Sequence, residues 1–161
     1  MKRFLTSTII IFTLLLVVSC GNNGTYYEQM THDKPIALRI KDLNKTIDQI
    51  RKEEKGKLIN DGDGIIKFVY DIGENDTYII TYLFDDKGCY EINIDSYFAQ
   101  EEDAQNVVDG IRSEINATDY GAPEEDNNLC RWKNKERTVS LELDYKNVSR
   151  GLIIITIFAT D

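Results

Sequence analysis

Few residues in this chain have the type and spacing for catalysis. His32 is the single histidine. A Ser–His or Cys–His pair needs that ring within hydrogen-bond reach of a nucleophile, yet His32 lies in a polar stretch without apolar periodicity. Cys20, Cys89 and Cys130 form no Cys-x-x-Cys pair, which argues against dithiol redox chemistry. There is no Gly-x-Ser-x-Gly turn, phosphate-binding Gly loop or His/Cys metal cluster. Asp61 and Asp63 have the spacing that opens a calcium loop, but Ile65 and Ile72 fall where further ligands are needed. That stretch therefore reads as a helix-to-strand turn. Carboxylates abound, so a paired-acid glycosidase is a third-ranked reading. It would need buried acids with raised pKa values and room to enclose a sugar. The expectation is no catalytic residue, no metal and no cofactor.

The remaining cysteine chemistry is at the N-terminus. Lys2 and Arg3 precede an apolar run over residues 4–18, followed by Ser19-Cys20 and the polar Gly21-Asn22-Asn23-Gly24. That is the layout of an export signal, and the run is short of the roughly 20 residues a membrane-crossing helix needs. Leu16-Val17-Val18-Ser19-Cys20 resembles the lipobox of bacterial lipoproteins. The resemblance implies cleavage before Cys20, a diacylglycerol thioether on its sulfur and an acyl chain on its new amine. Multiple acyl chains give stable anchoring. By the same resemblance, Gly21 after the cysteine favours the outer membrane, and the lack of an acidic run just after Cys20 favours its periplasmic side. Residues 1–19 are then the signal peptide, 20–34 a lipidated flexible tether, and 35–161 one domain. Tyr26 and Tyr27 would rest at the membrane interface or pack on the domain.

Net charge is −9, and removing Lys2 and Arg3 with the leader makes it −11. Phosphate backbones and anionic head groups would be repelled, so nucleic acid is not an expected partner. In an oxidising envelope Cys89 and Cys130 form one disulfide if their Cα atoms lie close enough, and otherwise stay as two buried thiols.

The expected elements follow from periodicity. Ile36, Leu38 and Ile40 alternate as a short strand or extended lead-in. Asp42 would cap a helix bearing Leu43, Ile47 and Ile50. Three strands follow: one with Ile66, Phe68 and Tyr70, one over residues 77–84, and one with Tyr90, Ile92 and Ile94. A second helix carries Ala104, Val107, Val108, Ile111 and Ile115 on one face, with Gly110 allowing close packing on the sheet. An acidic loop over residues 124–128 leads to a short strand with Trp132. Then come a strand alternating Val139, Leu141 and Leu143 and a closing, wholly apolar strand over residues 152–159. The closing strand should be central or covered on both sides.

The two halves, about residues 42–98 and 99–161, share the order helix–strand–strand–turn–strand. Lys87-Gly88 and Arg150-Gly151 occupy equivalent places before each last strand. The predicted fold is α+β: one antiparallel sheet of about six strands with two helices on one face, built from two α-β-β-β repeats. With the lipobox, this plan resembles the tandem-repeat fold of the β-lactamase inhibitory protein and the small outer-membrane assembly lipoproteins of the SmpA/OmlA type. The run from Tyr120-Gly121-Ala122-Pro123 through Trp132 to Leu143 is similar to envelope lipoproteins of Bacteroides-type bacteria. In such families the exposed sheet face or loops bind another protein.

Alternation then places Lys67, Asp71, Thr81, Glu91, Asn93, Ser140 and Glu142 on the face away from the helices. Ile79, Leu83 and, depending on register, Tyr78 or Tyr82 interrupt it. The candidate binding residues are Tyr78, Tyr82, Glu91, Asn93 and Glu142. The leading functional reading is a membrane-anchored, non-catalytic lipoprotein that binds another envelope protein through this face or the loop at residues 124–128. The alternative is a module for a small ligand or cation, which would need an enclosed cavity or convergent carboxylates.

Overall fold

The computed structural model describes residues 24–160 except Glu74 and Arg137. The leader, Cys20 and the start of the expected tether lie outside the described residues. Among the described residues no helix is long and apolar enough to cross a membrane.

Eight strands form one antiparallel sheet. They are β1 (Lys57–Gly62), β2 (Ile65–Asp71), β3 (Thr77–Asp85), β4 (Gly88–Tyr97), β5 (Glu124–Asp126), β6 (Leu129–Lys133), β7 (Val139–Asp144) and β8 (Leu152–Ala159). Their spatial order is β1-β2-β3-β4-β8-β7-β6-β5. Each half is thus a helix followed by a four-stranded meander, and the last strands of the two halves pair in the middle. The α+β class and the single antiparallel sheet are as expected; each half carries four strands where three were expected. The extra strands are the two sheet edges: β1, expected as a turn region, and β5, expected as an acidic loop. Both are exposed and polar or mixed in composition, so neither shows the half-buried alternation that marks a strand in sequence.

Four α-helical segments lie on one face: α1 (Tyr26–Thr31), α2 (Ile36–Arg39), α3 (Ile47–Glu53) and α4 (Glu101–Asn116). Every one of the five apolar residues expected on α4 is fully buried. Its first turn holds Glu101, Glu102 and Asp103 at the positive end of the helix dipole. Beneath the helices the sheet presents continuous cross-strand rows. One runs Phe68–Ile80–Ile94–Ile155–Leu143–Cys130, and the next Ile66–Tyr82–Ile92–Ile157–Leu141–Trp132. These rows and the apolar stripe of α4 make one core.

The N-terminal third departs most from expectation. Residues 26–31 are not tether: they form α1, started by a Thr25–Glu28 capping box. Met30 is in the core, Tyr27 Oη donates to Glu114 Oε2 at 2.6 Å, and Tyr26 Oη donates to Asp76 Oδ2 at 2.7 Å. Gly110 opens space for the Tyr27 ring rather than for the sheet, since a Cβ there would sit 2.2 Å from Tyr27 Cγ. The run after Pro35 is helical, not extended. The free N–H groups of Ile36 and Ala37 at the start of α2 both donate to the Glu114 carboxylate, which alternation in the sequence does not reveal. Asp42 does not cap a helix. It is fully buried in a 3-10 turn, and Thr46 caps α3 in a box with Gln49.

Two glycines mark the repeat. Gly88 (φ 124°) and Gly151 (φ 73°) each precede or open the last strand of a half. Each lies against the segment that enters the helix of its own half: Cys89 N–H donates to the Lys45 carbonyl, and Phe98 N–H donates to the Gly151 carbonyl. A Cβ on Gly151 would fall 1.8 Å from the Phe98 carbonyl oxygen, in a backbone region that L-residues avoid. We therefore expect Gly151→Ala to cost at least about 2 kcal/mol, read as a lowered urea midpoint with an unchanged slope.

Candidate functional site

The face of the sheet opposite the helices is covered by no element among the described residues. Strand alternation sends every second side chain there, and the register aligns them. The central row is Lys67–Thr81–Asn93–Thr156–Glu142–Arg131. It is held by hydrogen bonds along the surface. Thr156 Oγ1 donates to Asn93 Oδ1 at 2.9 Å, Asn93 Nδ2 to Glu91 Oε1 at 2.7 Å, and Arg131 Nε to Glu142 Oε1 at 2.8 Å. On one side lies Ile65–Leu83–Glu91–Phe158–Ser140–Lys133, and on the other Val69–Ile79–Asp95–Ile154–Asp144–Leu129. The apolar members of these rows are half-buried by their neighbours. Polar groups of both signs and partly exposed apolar groups therefore alternate across the face.

Glu91, Asn93 and Glu142 lie on this face, as expected. Tyr78 and Tyr82 do not. They are 3% and 0% exposed, on the helix side, because the β2–β3 register pairs Tyr82 with Ile66 and Tyr78 with Tyr70. Residues 77–84 are apolar at both parities, so the sequence alone left the register open; Ile79, Thr81 and Leu83 take the outer side. Asp95 was not singled out, although its parity matches Glu91 and Asn93. It is half-buried between Ile79 and Ile154 and forms no hydrogen bond or ion pair among the described residues. Burial raises its pKa, and the charge of Lys67 offsets this in part. Ser140 Oγ, also on this face, is buried without a partner among the described residues. An unpaired buried hydroxyl and a partly desolvated charge are both costs to the free domain.

Cys89 and Cys130 are free buried thiols. Strands β8 and β7 separate β4 from β6, so three strand spacings, about 14 Å, lie between their strands. A disulfide needs Cα atoms within about 7 Å. Burial pushes the Cys89 thiol up to about 12 and raises that of Cys130 as well, which keeps both from acting as thiolates.

Under α2 and α3 lies an ionic cluster that alternation gave no reason to expect. Arg39 Nη1 donates to Glu54 Oε1 at 2.8 Å and to Tyr82 Oη at 3.0 Å, and Tyr82 Oη donates to Glu54 Oε1 at 2.6 Å. Tyr70 Oη donates to Glu54 Oε2. Asp42 receives Lys34 Nζ at 2.7 Å and Lys45 Nζ at 2.8 Å. Lys34, Arg39 and Lys45 balance Asp42, Glu53 and Glu54 in charge. Every buried member is paired, as burial of charge requires, so the cluster reads as structural.

His32 stands at the rim of an open cleft of about 710 Å³ with Glu28, Asp33, Tyr70 and Asp71. Its side chain is 83% exposed, and its polar partner among the described residues is the neighbouring Asp33. Asp61 is paired with Arg51. Among the described residues no group of three or more His, Cys, Asp or Glu side chains could hold a metal ion. No protein-family model, curated protein or solved structure matches the chain.

The buried tyrosines set an alkaline limit. Burial, with the hydrogen bond to Glu54, pushes Tyr70 up to about 12, and burial raises Tyr82 further. In the unfolded chain both titrate near 10. Their folded pKa values are raised, so their contribution is fully present below pH 10 and is lost as pH climbs through about 12. Phenolate absorbance should show a late-titrating class that ionises together with loss of circular dichroism, and Tyr70→Phe should shrink it.

Proposed function

We propose that this chain is a lipid-anchored bacterial envelope lipoprotein, attached through Cys20, whose domain binds another envelope protein without catalysing a reaction. The open sheet face is the docking surface. The observation that carries this reading is the uncovered face, where a hydrogen-bonded polar row runs between partly exposed Ile65, Leu83, Phe158, Val69, Ile79 and Ile154. Mixed surfaces of that kind suit non-obligate protein interfaces, which are about as apolar as ordinary surface and gain specificity from aligned polar groups. Asp95 and Ser140 add to the argument: a partner that supplies donors to them would relieve costs the free domain carries. Anchoring fits the periplasmic side of the outer membrane, by the lipobox resemblance.

The second reading, a small-ligand or cation-binding lipoprotein, rests on the cleft rimmed by Glu28, Asp33 and Asp71. It is weaker because the cleft is open rather than enclosing.

Asp95→Asn separates a docking face from a merely solvated one. Removing a half-buried charge should raise the denaturation midpoint at neutral pH, since the raised carboxyl pKa means ionisation opposes folding. If the face docks a partner, the same change should weaken chemical crosslinking of the anchored protein to that partner in intact cells, with Cys20→Ala as the unanchored control. Unchanged crosslinking by Asp95→Asn, and likewise by Asn93→Arg, would remove this face from consideration.

A further inference from the structure

The chain carries a net charge of −9, yet one corner of the domain runs the other way. Arg131, Lys133 and Lys135 follow one another at every second residue with no acid between them. Alternation along β6 sends Arg131 and Lys133 to the same side of the sheet, while Trp132 between them is buried on the other. Both border an open cleft of about 230 Å³. Lys135 and Asn134 join them from the turn after β6, and Tyr120 and Glu124 from the segment between α4 and β6. Three cations and a single carboxylate thus line it. The cleft at His32 and the one along the first turns of α4, lined by Glu101, Glu102 and Asp109, are acidic instead.

Both walls are set before any ligand arrives. On one, Tyr120 N–H donates to Thr118 Oγ1 at 3.3 Å and Gly121 N–H to the Thr118 carbonyl at 3.2 Å. On the other, Asn134 Oδ1 accepts from Val139 N–H at 3.0 Å, and its Nδ2 donates to Thr138 Oγ1 at 2.9 Å. Those two bonds close the turn that carries Lys135. Arg131 Nε donates to Glu142 Oε1 at 2.8 Å, which orients the guanidinium and leaves its Nη groups without a partner among the described residues. The ammonium groups of Lys133 and Lys135 have none there either. Tyr120 is half-buried, so part of its ring faces solvent.

We propose that this cleft binds a sugar-sized, hydroxylated molecule bearing one carboxylate or phosphate group. Arg131, Lys133 and Lys135 receive the anion, since a guanidinium fork and ammonium groups form strong charge-assisted hydrogen bonds to such oxygens. Glu124, the cross-strand neighbour of Arg131, is the acceptor for a hydroxyl, and Tyr120 offers a ring edge or face to the body of the ligand. The size limit follows from the volume, because drug-sized ligands occupy pockets of about 300–1,000 Å³. The acidity of the whole chain does not oppose this. At physiological ionic strength exposed charges more than about 8 Å apart are largely screened. A small anion therefore meets the local cations, whereas a long polyanion would also meet the acids around them. The inference goes beyond the docking reading and does not rest on it: Asp95 is on β4, three strands away from β6.

The test is a two-dimensional NMR titration of the ¹⁵N-labelled full chain at low salt. Glucuronate and glucose 6-phosphate are the probes, with glucose as the uncharged control and inorganic phosphate as the anion without a sugar body. One or both acids should shift the amides of Tyr120, Arg131, Lys133 and Lys135 saturably, and which of them does so separates the carboxylate from the phosphate source. Glucose should leave these amides in place, and inorganic phosphate should bind more weakly than the better acid. Lys133→Gln combined with Lys135→Gln should weaken binding about tenfold or more, as expected for the loss of two charge-assisted contacts. Lys52→Gln, at an exposed position on α3, should not. Matching thermal midpoints would show that the variants are folded. No saturable shift from either acid, an equal response to glucose, or inorganic phosphate bound as tightly as the better acid would overturn the proposal. So would shifts spread over exposed lysines elsewhere, or unchanged binding by the double variant.

Discussion

The antiparallel contact between β4 and β8 is the interaction on which the molecule depends. It is the seam between two helix-plus-meander halves. The apolar sides of the two half-sheets belong to one core. Joining the last strands aligns Ile92, Ile94 and Ser96 with Ile157, Ile155 and Ile153. That register extends the apolar rows of one half into those of the other, so α4 and the N-terminal helices cover a single surface. A slip of β8 by one residue would turn Ile153, Ile155 and Ile157 to solvent and bring Ile154, Thr156 and Phe158 inward. The seam is therefore specified strongly, and the open face inherits its order from it.

The two halves solve the same problems with different residues. In each, a glycine at the last strand lets the chain pass closely before it enters a helix: Gly88 against Asn44, and Gly151 against Phe98. In each, an arginine on the helix reaches an acid on the first strand, Arg51 to Asp61 and Arg112 to Glu125. The first half differs in its ionic cluster. Its α3 is only seven residues long, so it covers less sheet than α4. The space under it is filled by Arg39, Asp42 and Glu54, with Tyr82 reaching up from the sheet. α1 and α2 complete the layer, and Glu114 on α4 ties both of them down.

The cost of this design falls on the outer face. Eight strands with helices on one side leave a broad outer surface with no covering layer among the described residues. That surface consists of alternating polar and apolar rows and a short ladder of side-chain hydrogen bonds. Asp95 and Ser140 are the places where that surface is least well satisfied, and both lie on strands close to the seam.

The sequence by itself determined the strongly periodic parts. The stripe on α4, the alternation of β2, β4 and β7 and the central place of β8 were legible because burial of one face imposes a period of 3.6 or 2 on residue type. Glu91, Asn93 and Glu142 could be placed on the open face for the same reason. Tertiary structure alone decided the rest. β1 and β5 are edges with exposed residues, so burial left no period to read. α1 and α2 are held by Glu114 and Asp76, partners remote in sequence. Asp42 is buried because Lys34, Lys45 and Tyr82 converge on it. Strand β3 is apolar on both parities, and only its pairing with β2 and β4 sent Tyr78 and Tyr82 inward and Ile79, Thr81 and Leu83 out. Cys89 and Cys130 each sit in a readable strand, but their separation depends on strand order, which is set by how the two halves meet.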